Sequence, residues 1–116
     1  MSYDVDLTCP VDGHVLQLDS PHQMKGGTYA IGGTTDMSLN VTYNYAGPYR
    51  KYDFSINDLN NKTAGETLPK MKAVAEALGD EVDPDYWQPT EGNAKKALLQ
   101  LIALGQMRPD GMWRIS

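Results

Sequence analysis

The sequence predicts an α+β fold: a small antiparallel sheet, made of an N-terminal hairpin and one long strand, packed on two C-terminal helices. Through much of the first 45 residues, apolar side chains recur at every second position, which is the spacing of a strand with one buried face. From residue 67 onwards they recur every three or four positions, which is the spacing of an amphipathic helix. Strands followed by helices are typical of an α+β domain, and a chain of 116 residues predicts a single domain over 1–116.

The N-terminal hairpin is predicted from two alternating segments around a turn. Residues 3–8 alternate apolar and polar side chains, and residues 10–13 read Pro-Val-Asp-Gly, in which proline presets a turn and glycine tolerates a positive φ. Residues 14–18 would form the second strand, with Leu16 and Leu18 on one face. We therefore expect the first 18 residues to form a two-stranded unit.

A glycine-rich segment and a long strand follow the hairpin. Residues 19–36 contain two Gly-Gly-Thr triplets, which bracket the apolar piece Tyr29-Ala30-Ile31. Residues 37–45 alternate again and predict the clearest strand of the chain, whose second face is wholly polar. The members of that polar face are Ser38, Asn40, Thr42 and Asn44. Residues 46–62 resemble a tyrosine-rich loop.

The first predicted helix begins at Thr67 and ends at a glycine C-cap, Gly79. Thr63 and Glu66 have the spacing of a capping box, but a helix that began there would place Pro69 beyond the tolerated first turn. The later start is therefore preferred.

The second predicted helix covers residues 91–107 and is capped by Thr90. An acidic linker with two prolines, residues 80–91, precedes it, and residues 108–111 (Arg-Pro-Asp-Gly) end it. Residues 112–115 would add a short edge strand. The predicted core face of the helix consists of Ala94, Ala97, Leu98, Leu101 and Leu104.

Composition excludes several classes of function. Fifteen acidic and ten basic residues give a net charge of -5, which argues against direct nucleic-acid binding or attraction to an anionic membrane by bulk charge. No apolar run approaches the roughly 20 residues of a membrane span, and the N-terminus has no signal-peptide pattern. The single cysteine, Cys9, precludes an intrachain disulfide and favours a reducing compartment, so we expect a cytoplasmic protein. No cofactor is predicted.

The glycine-rich segment and the polar strand face together form the predicted contact surface, for a host protein or a small anionic ligand. Paired glycines let successive backbone N–H groups point into one concavity, and such nests bind phosphate or carboxylate. The alternative is a pair of tight turns or bulges around a short strand. The predicted members are His22, Lys25, Gly26, Gly27, Thr28, Gly32, Gly33, Thr34, Asn40, Thr42 and Asn44.

No catalytic residue is predicted, although His22 is the one candidate acid/base because it titrates near neutrality and precedes the glycine-rich segment. The commoner role of such a histidine is to fasten a loop. No metal site is predicted, since Cys9, His14 and His22 lack the close ligand pairs of a structural zinc site.

Two further surfaces are candidates for recognition. Tyr49, Arg50 and Tyr52 could present aromatic rings beside a positive charge. The linker carries a predicted acidic patch, which either meets a basic partner or is a solvated connection with Trp87 packed inward. The patch consists of Asp80, Glu81, Asp83 and Asp85.

Four segments carry a resemblance to a family of small proteins encoded in phages, prophages and gut bacterial genomes. The segments are PHQMKGGTYAIGGT, LNVTYNY, DYWQPTEGNAKKALLQLIAL and MRPDGMW. The resemblance covers most of the chain, from about Tyr3 to Trp113. It implies a host-cell cytoplasm and an accessory, non-virion role, and it supplies no catalytic or binding residues. By analogy, short acidic phage proteins often act by binding, sometimes as inhibitors of host defence systems.

The leading functional hypothesis is therefore a phage-type binding protein that inhibits a host defence protein or sequesters a small signalling ligand. The alternative is a small enzyme acting on a nucleotide or another phosphorylated substrate, with His22 as acid/base. A self-associating assembly subunit is the third hypothesis, and the oligomeric state is open.

Overall fold

A computed structural model describes residues 2–28, 33–85 and 87–116, and it confirms the predicted α+β fold. The predicted apolar piece Tyr29-Ala30-Ile31 lies outside the described residues, as does Gly32. The strands are β1 (Ser2–Thr8), β2 (Gln17–His22), β3 (Thr34–Asp36), β4 (Ser38–Thr42) and β5 (Met112–Ile115). The α-helices of the described residues are α1 (Ala46–Lys51), α2 (Ala64–Ala77) and α3 (Glu91–Met107).

β1 is the central strand of a three-stranded antiparallel sheet, in the order β4-β1-β5. Val5 is paired with Leu39 on one side and with Ile115 on the other. Val5 and Leu7 are fully buried, as the alternation of β1 predicts. The predicted strand at the C-terminus is confirmed as β5, and it lies at an edge of this sheet.

The predicted hairpin is wrong in its extent. The turn after β1 closes through bonds from the Cys9 N–H to the His14 carbonyl, 2.8 Å, and from the Leu16 N–H to the Leu7 carbonyl, 2.9 Å. Beyond these bonds the chain leaves β1 and forms β2, which pairs with β3 in a separate two-stranded sheet. The reason is that β4 and β5 already pair with most of the two edges of β1.

The predicted long strand ends early, at Thr42. The Thr42 hydroxyl accepts a hydrogen bond from the Asn44 N–H, 3.2 Å, and so caps a 3₁₀ turn at Tyr43–Tyr45 that continues into α1. This turn moves Tyr45 into the core and leaves Tyr43 40% exposed. The expected loop over 46–62 is therefore wrong as well: it contains α1 and a 3₁₀ turn at Ile56–Leu59.

The helix α2 starts at Ala64, three residues before the predicted start at Thr67. Thr63 and Glu66 form the capping box after all, and the first helical N–H groups donate to backbone carbonyls of the loop before β5. Pro69 lies inside the helix. The predicted C-cap is wrong too, because the helix ends at Ala77 and Leu78 is the C-cap, one residue before Gly79.

The helix α3 has the predicted bounds and the predicted cap. The Thr90 hydroxyl accepts from the Asn93 N–H at 3.1 Å, and the five predicted core residues of α3 are all buried. α3 packs against α2, and Trp113 of β5 is buried with its indole N–H donating to the Thr67 hydroxyl at 2.9 Å. These contacts join the helix pair to the sheet.

Candidate functional site

A surface cleft of about 520 Å³ lies where the glycine-rich segment meets α3. Four parts of the chain form it: the residues after β2, the 3₁₀ turn at Tyr43–Tyr45, the residues that precede α3 and one face of α3 itself. The described residues that line it are Gln23, Lys25, Gly27, Tyr45, Asp83, Pro84, Asn93, Lys96, Leu99 and Gln100. The glycine-rich segment and the acidic patch, predicted as separate surfaces, therefore meet at one site.

Gly26 and Gly27 lie directly against the edge of β4. Gly26 forms a parallel bridge with Val41, and its carbonyl accepts a hydrogen bond from the Thr42 N–H at 2.7 Å. A Cβ atom at Gly26 would lie 2.9 Å from the Val41 Cα, and one at Gly27, where φ is +85°, would lie 2.6 Å from the Tyr45 hydroxyl oxygen. Close backbone approach accounts for both glycines, and the anion nest stays a prediction.

Gln100 fixes the glycine-rich segment to α3. Its amide oxygen accepts from the Lys25 N–H at 2.7 Å, and its amide nitrogen donates to the Lys25 carbonyl at 2.5 Å. These two bonds satisfy the N–H and the carbonyl of Lys25, as a neighbouring β-strand would do. It holds the Lys25 backbone at the rim of the cleft, beside the exposed side chain of Lys96.

Asn93 organises the acidic wall of the cleft. Its amide nitrogen donates to the carbonyls of Asp85, 3.3 Å, and Gln88, 3.1 Å, and its amide oxygen accepts from the Asp83 N–H at 3.2 Å. The Gly92 N–H donates to the Glu81 carbonyl at 2.8 Å. The acidic segment is therefore fastened to the first turn of α3.

All four residues of the predicted acidic patch are exposed. Asp80 forms an ion pair with Lys95 at 2.7 Å, and an Asp83 carboxylate oxygen accepts from the Asp85 N–H at 2.8 Å. Trp87 is 38% exposed, so the expectation that this side chain packs inward is wrong.

The predicted polar strand face is mostly engaged within the fold. Thr42 is 1% exposed, and the Asn40 amide donates to the Asp4 carboxylate at 2.7 Å. The Asn44 amide donates to the Trp87 carbonyl at 2.9 Å. Direct contact through Thr42 would require a rearrangement of the strand end. Ligand binding by these residues stays a prediction.

The remaining predicted members lie beside β4 and at the start of β3. The Thr28 hydroxyl donates to the Asn40 carbonyl at 3.3 Å, and the Thr34 hydroxyl accepts from the Asp36 N–H at 3.1 Å. Gly33 is exposed and lies just before β3. Of the predicted contact surface, Lys25 and Gly27 are the members that line the cleft.

Both ring nitrogens of His22 contact the backbone. Nδ1 accepts from the Met24 N–H at 3.2 Å, so Nε2 carries the proton and donates to the Asp36 carbonyl at 2.7 Å. This pattern fits the commoner role of such a histidine, which is to fasten a loop. An acid/base role for His22 would need one of these bonds to open, and it stays untested.

The tyrosines proposed for stacking occupy different environments. Tyr49 is 1% exposed, and its hydroxyl donates to the Ala94 carbonyl at 2.7 Å, so its assignment as a surface residue is wrong. Burial raises the pKa of Tyr49 and also that of Tyr45, to which the charge of Asp85 adds. Arg50 is exposed, and the half-buried Tyr52 donates to Glu91 at 2.7 Å.

Sequence reasoning missed the α3 side of the site. Lys96 and Gln100 are one helical turn apart and look like ordinary residues of a solvated helix face. Within the described residues, neither the Lys25 nor the Lys96 ammonium is in an ion pair, whereas Lys51 and Lys95 are. The cleft therefore has two cations available for a ligand.

One group of potential metal ligands is present in the turn after β1. A Cys9 sulfur, an Asp12 carboxylate oxygen and a His14 ring nitrogen lie within 4.8 Å of one another. Cys9 and His14 are close in the chain but His22 is distant, and Asp12 is already accounted for by its place in the turn, so the spacing of cysteine and histidine alone did not predict this group.

No protein-family model, no curated protein and no solved structure matches the chain. The likeness to phage-encoded proteins stays a prediction. None of the described helices is both long and apolar enough to cross a bilayer.

Proposed function

We propose that the protein acts by binding, and that the cleft between the glycine-rich segment and α3 takes a small anionic ligand. The single observation that carries the proposal is the pair of cations, Lys25 and Lys96, that line one cleft without a carboxylate partner among the described residues. Two ammonium groups at one cleft suit a phosphate or carboxylate, because charge-assisted hydrogen bonds are about twice as strong as neutral ones.

The other walls of the cleft narrow the class of ligand. Pro84 and Leu99 supply apolar surface, and Leu99 is 48% exposed. Asp83 supplies a carboxylate that can accept a hydrogen bond from a ligand N–H or O–H group. A compact anion with an apolar or aromatic body and a donor group, such as a nucleotide, fits these three walls.

The proposal favours ligand sequestration over inhibition of a host defence protein. In the phage-encoded setting that the resemblance implies, a small signalling ligand of the host would be the occupant. The enzymatic alternative has less support, because no histidine, cysteine or serine is among the described residues that line the cleft.

A thermal-shift screen with nucleotides and phosphorylated and carboxylated metabolites tests the proposal, since a ligand of the native state raises the unfolding temperature. Calorimetric titration of the hits would then compare Lys25→Ala and Lys96→Ala with Lys70→Ala, an exposed lysine of α2 outside the cleft. We expect each cleft variant to weaken binding roughly 10- to 100-fold, which corresponds to one charge-assisted bond, and Lys70→Ala to leave it unchanged. No stabilising anion, or equal affinity for all variants, would contradict the proposal.

A basic protein partner is the second candidate, because Asp80, Glu81, Asp83 and Asp85 of the acidic patch beside the cleft are all exposed. Affinity capture from host lysate with Glu81→Lys, compared with Glu76→Lys on α2, separates this candidate from the first. Loss of the captured protein with Glu81→Lys alone would favour it, whereas equal capture by both variants would remove it.

A further inference from the structure

The turn that follows β1 brings together three side chains of different ligand chemistry. Cys9, Asp12 and His14 contribute a sulfur, a carboxylate oxygen and an imidazole nitrogen, and these atoms all lie within 4.8 Å of one another. The three ligands come from six consecutive residues, so no long-range movement is needed to assemble them. The group lies outside the cleft, whose described lining includes none of the three.

The backbone fixes this turn before any ion binds. The Cys9 N–H donates to the His14 carbonyl at 2.8 Å, and the Gly13 N–H donates to the Cys9 carbonyl at 2.9 Å. Gly13 has a φ of +77°, which a side chain would disfavour, and the Arg114 guanidinium donates to its carbonyl at 3.3 Å. A closed turn of this kind lowers the entropy that metal binding must otherwise remove.

The side chains are accessible to an ion from solvent. The side chains of His14 and Asp12 are 60% and 62% exposed, and Cys9 is partly buried. The His14 Nδ1 atom and the Asp12 carboxylate are in direct contact, and an ion would displace the proton of this hydrogen bond, which passes to Nε2 of a neutral imidazole or to solvent from an imidazolium. Zinc binds sulfur at about 2.3 Å and nitrogen or oxygen at about 2.0–2.2 Å, so the ligand atoms of a tetrahedral site are roughly 3.3–3.7 Å apart. Because the three ligand atoms already lie within 4.8 Å of one another, small side-chain rotations would bring them to these separations.

We propose that Cys9, Asp12 and His14 form a binding site for a borderline divalent transition-metal ion, of which Zn²⁺ is the representative. Thiolate and imidazole ligands favour zinc over Mg²⁺ and Ca²⁺, which take oxygen ligands. The thiol proton of Cys9 passes to solvent when the sulfur binds the ion. Three protein ligands leave a fourth position for water, as in an open zinc site.

Titration of the reduced chain with Co²⁺ and Zn²⁺ tests the site. With Co²⁺ we expect one equivalent to bind and to give the intense near-ultraviolet band of a cobalt–thiolate bond, and with Zn²⁺ we expect the same stoichiometry by calorimetry. Cys9→Ser removes the only thiol of the chain, so the band must vanish. His14→Ala and Asp12→Asn should weaken affinity by more than the 10- to 100-fold that loss of an outer-shell partner costs.

His22→Gln is the matched control, because it removes the other histidine of the chain and leaves the turn intact. Circular dichroism and the unfolding temperature of each variant show whether it has folded, and Cys9→Ala offers a second thiol-free chain. Metal binding that is unchanged in the Cys9→Ser chain and in the His14→Ala chain would overturn the proposal. A loss of binding in the His22→Gln chain as large as in those two variants would also overturn it. The proposal would also be overturned if neither Co²⁺ nor Zn²⁺ bound when several equivalents were added.

Discussion

At the scale of single residues, Glu91 joins three elements through one carboxylate. It accepts hydrogen bonds from the Lys51 ammonium at 2.8 Å, the Tyr52 hydroxyl at 2.7 Å and the Gly79 N–H at 2.9 Å. The bonds from Lys51 and then Tyr52 are the largest causes that lower the pKa of Glu91 from 4.5 to about 2. The end of α1, the residue after the C-cap of α2 and the start of α3 are thus held together by an ionised side chain.

This lowered pKa predicts a pH dependence of stability. A carboxyl whose pKa is lower in the folded state stabilises the fold fully above its unfolded pKa, and the contribution is lost as the pH falls through the folded pKa. For Glu91 that window extends from about 4.5 down to about 2. Urea unfolding across this range should show a shallower acid loss for Glu91→Gln than for the parent chain. Glu76→Gln, a change to an exposed glutamate of α2, should retain the steep loss, and identical profiles for all three chains would contradict the prediction.

Gly92 allows the acidic wall to lie close to α3 because glycine has no Cβ atom. A Cβ atom there would lie 2.5 Å from the Glu81 carbonyl carbon, and the Gly92 N–H already donates to the Glu81 oxygen. We expect Gly92→Ala to lower the free energy of unfolding by about 1–3 kcal/mol, because overpacking must displace the segment.

Gly47→Ala is the matched control for that substitution. A Cβ atom at Gly47 of α1 would meet nothing within 4 Å beyond its chain neighbours. The gain in helix propensity is opposed by Pro48, which disfavours a helical conformation for a preceding residue with a Cβ atom, so Gly47→Ala should change the free energy of unfolding by less than about 1 kcal/mol. Urea unfolding measures both values. Equal changes in the free energy of unfolding for the two substitutions would show that the close approach at Gly92 does not affect stability.

At the scale of elements, the start of α2 depends on local and distant bonds together. The Thr63 hydroxyl accepts from the Glu66 N–H at 3.3 Å, and the Glu66 carboxylate accepts from the Thr63 N–H at 3.2 Å. The N–H groups of Ala64 and Gly65 donate to the carbonyls of Gly111 and Pro109. These bonds satisfy the first helical donors, which offsets the loss of a helical bond at Pro69.

Removal of the cap tests this account of α2. Thr63→Ala should lower the free energy of unfolding by about 1 kcal/mol, within the range of 0.5–2 kcal/mol for N-cap residues, and Thr63→Ser should retain most of it because the hydroxyl remains. The urea midpoint of each variant gives the comparison. A Thr63→Ser chain as unstable as Thr63→Ala would show that the hydroxyl does not support the helix.

The elements that the sequence predicts well are those determined by neighbouring residues. α3 has its predicted bounds because its cap and its apolar face are both local. The start of α2 and the exit of the chain after Leu16 were missed because both depend on backbone bonds to distant strands and loops. Predicting them requires the position of β5, which comes from the opposite end of the chain.

The candidate site divides in the same way. Lys25 and Gly27 were predicted from the glycine-rich segment, whereas Gln100 was missed because its partner Lys25 lies 75 residues away in the chain. Lys96 was missed because an exposed helical lysine has no local signal of a site. Asp12 was missed because its role in a turn already accounts for it.

At the scale of the whole molecule, the N- and C-terminal strands share one sheet, and the helix pair packs against it. This arrangement brings the glycine-rich segment, which follows β2, against the middle of α3. The cleft therefore exists only in the complete fold. The net charge of -5 does not predict the local charge of the cleft. Lys25 and Lys96 both line the cleft, whereas a cluster of acidic residues lies in the segment before α3.

The central claim is that this cleft binds a small anion, and amide chemical-shift mapping by NMR tests it most directly. Isotope-labelled protein would be titrated with each anion that stabilises it in the thermal-shift screen. We expect the largest shifts at Lys25, Gly27, Lys96 and Gln100, and we expect Lys96→Ala to reduce them. Shifts confined to α2 or to residues 9–14, or no saturable shifts, would contradict the claim.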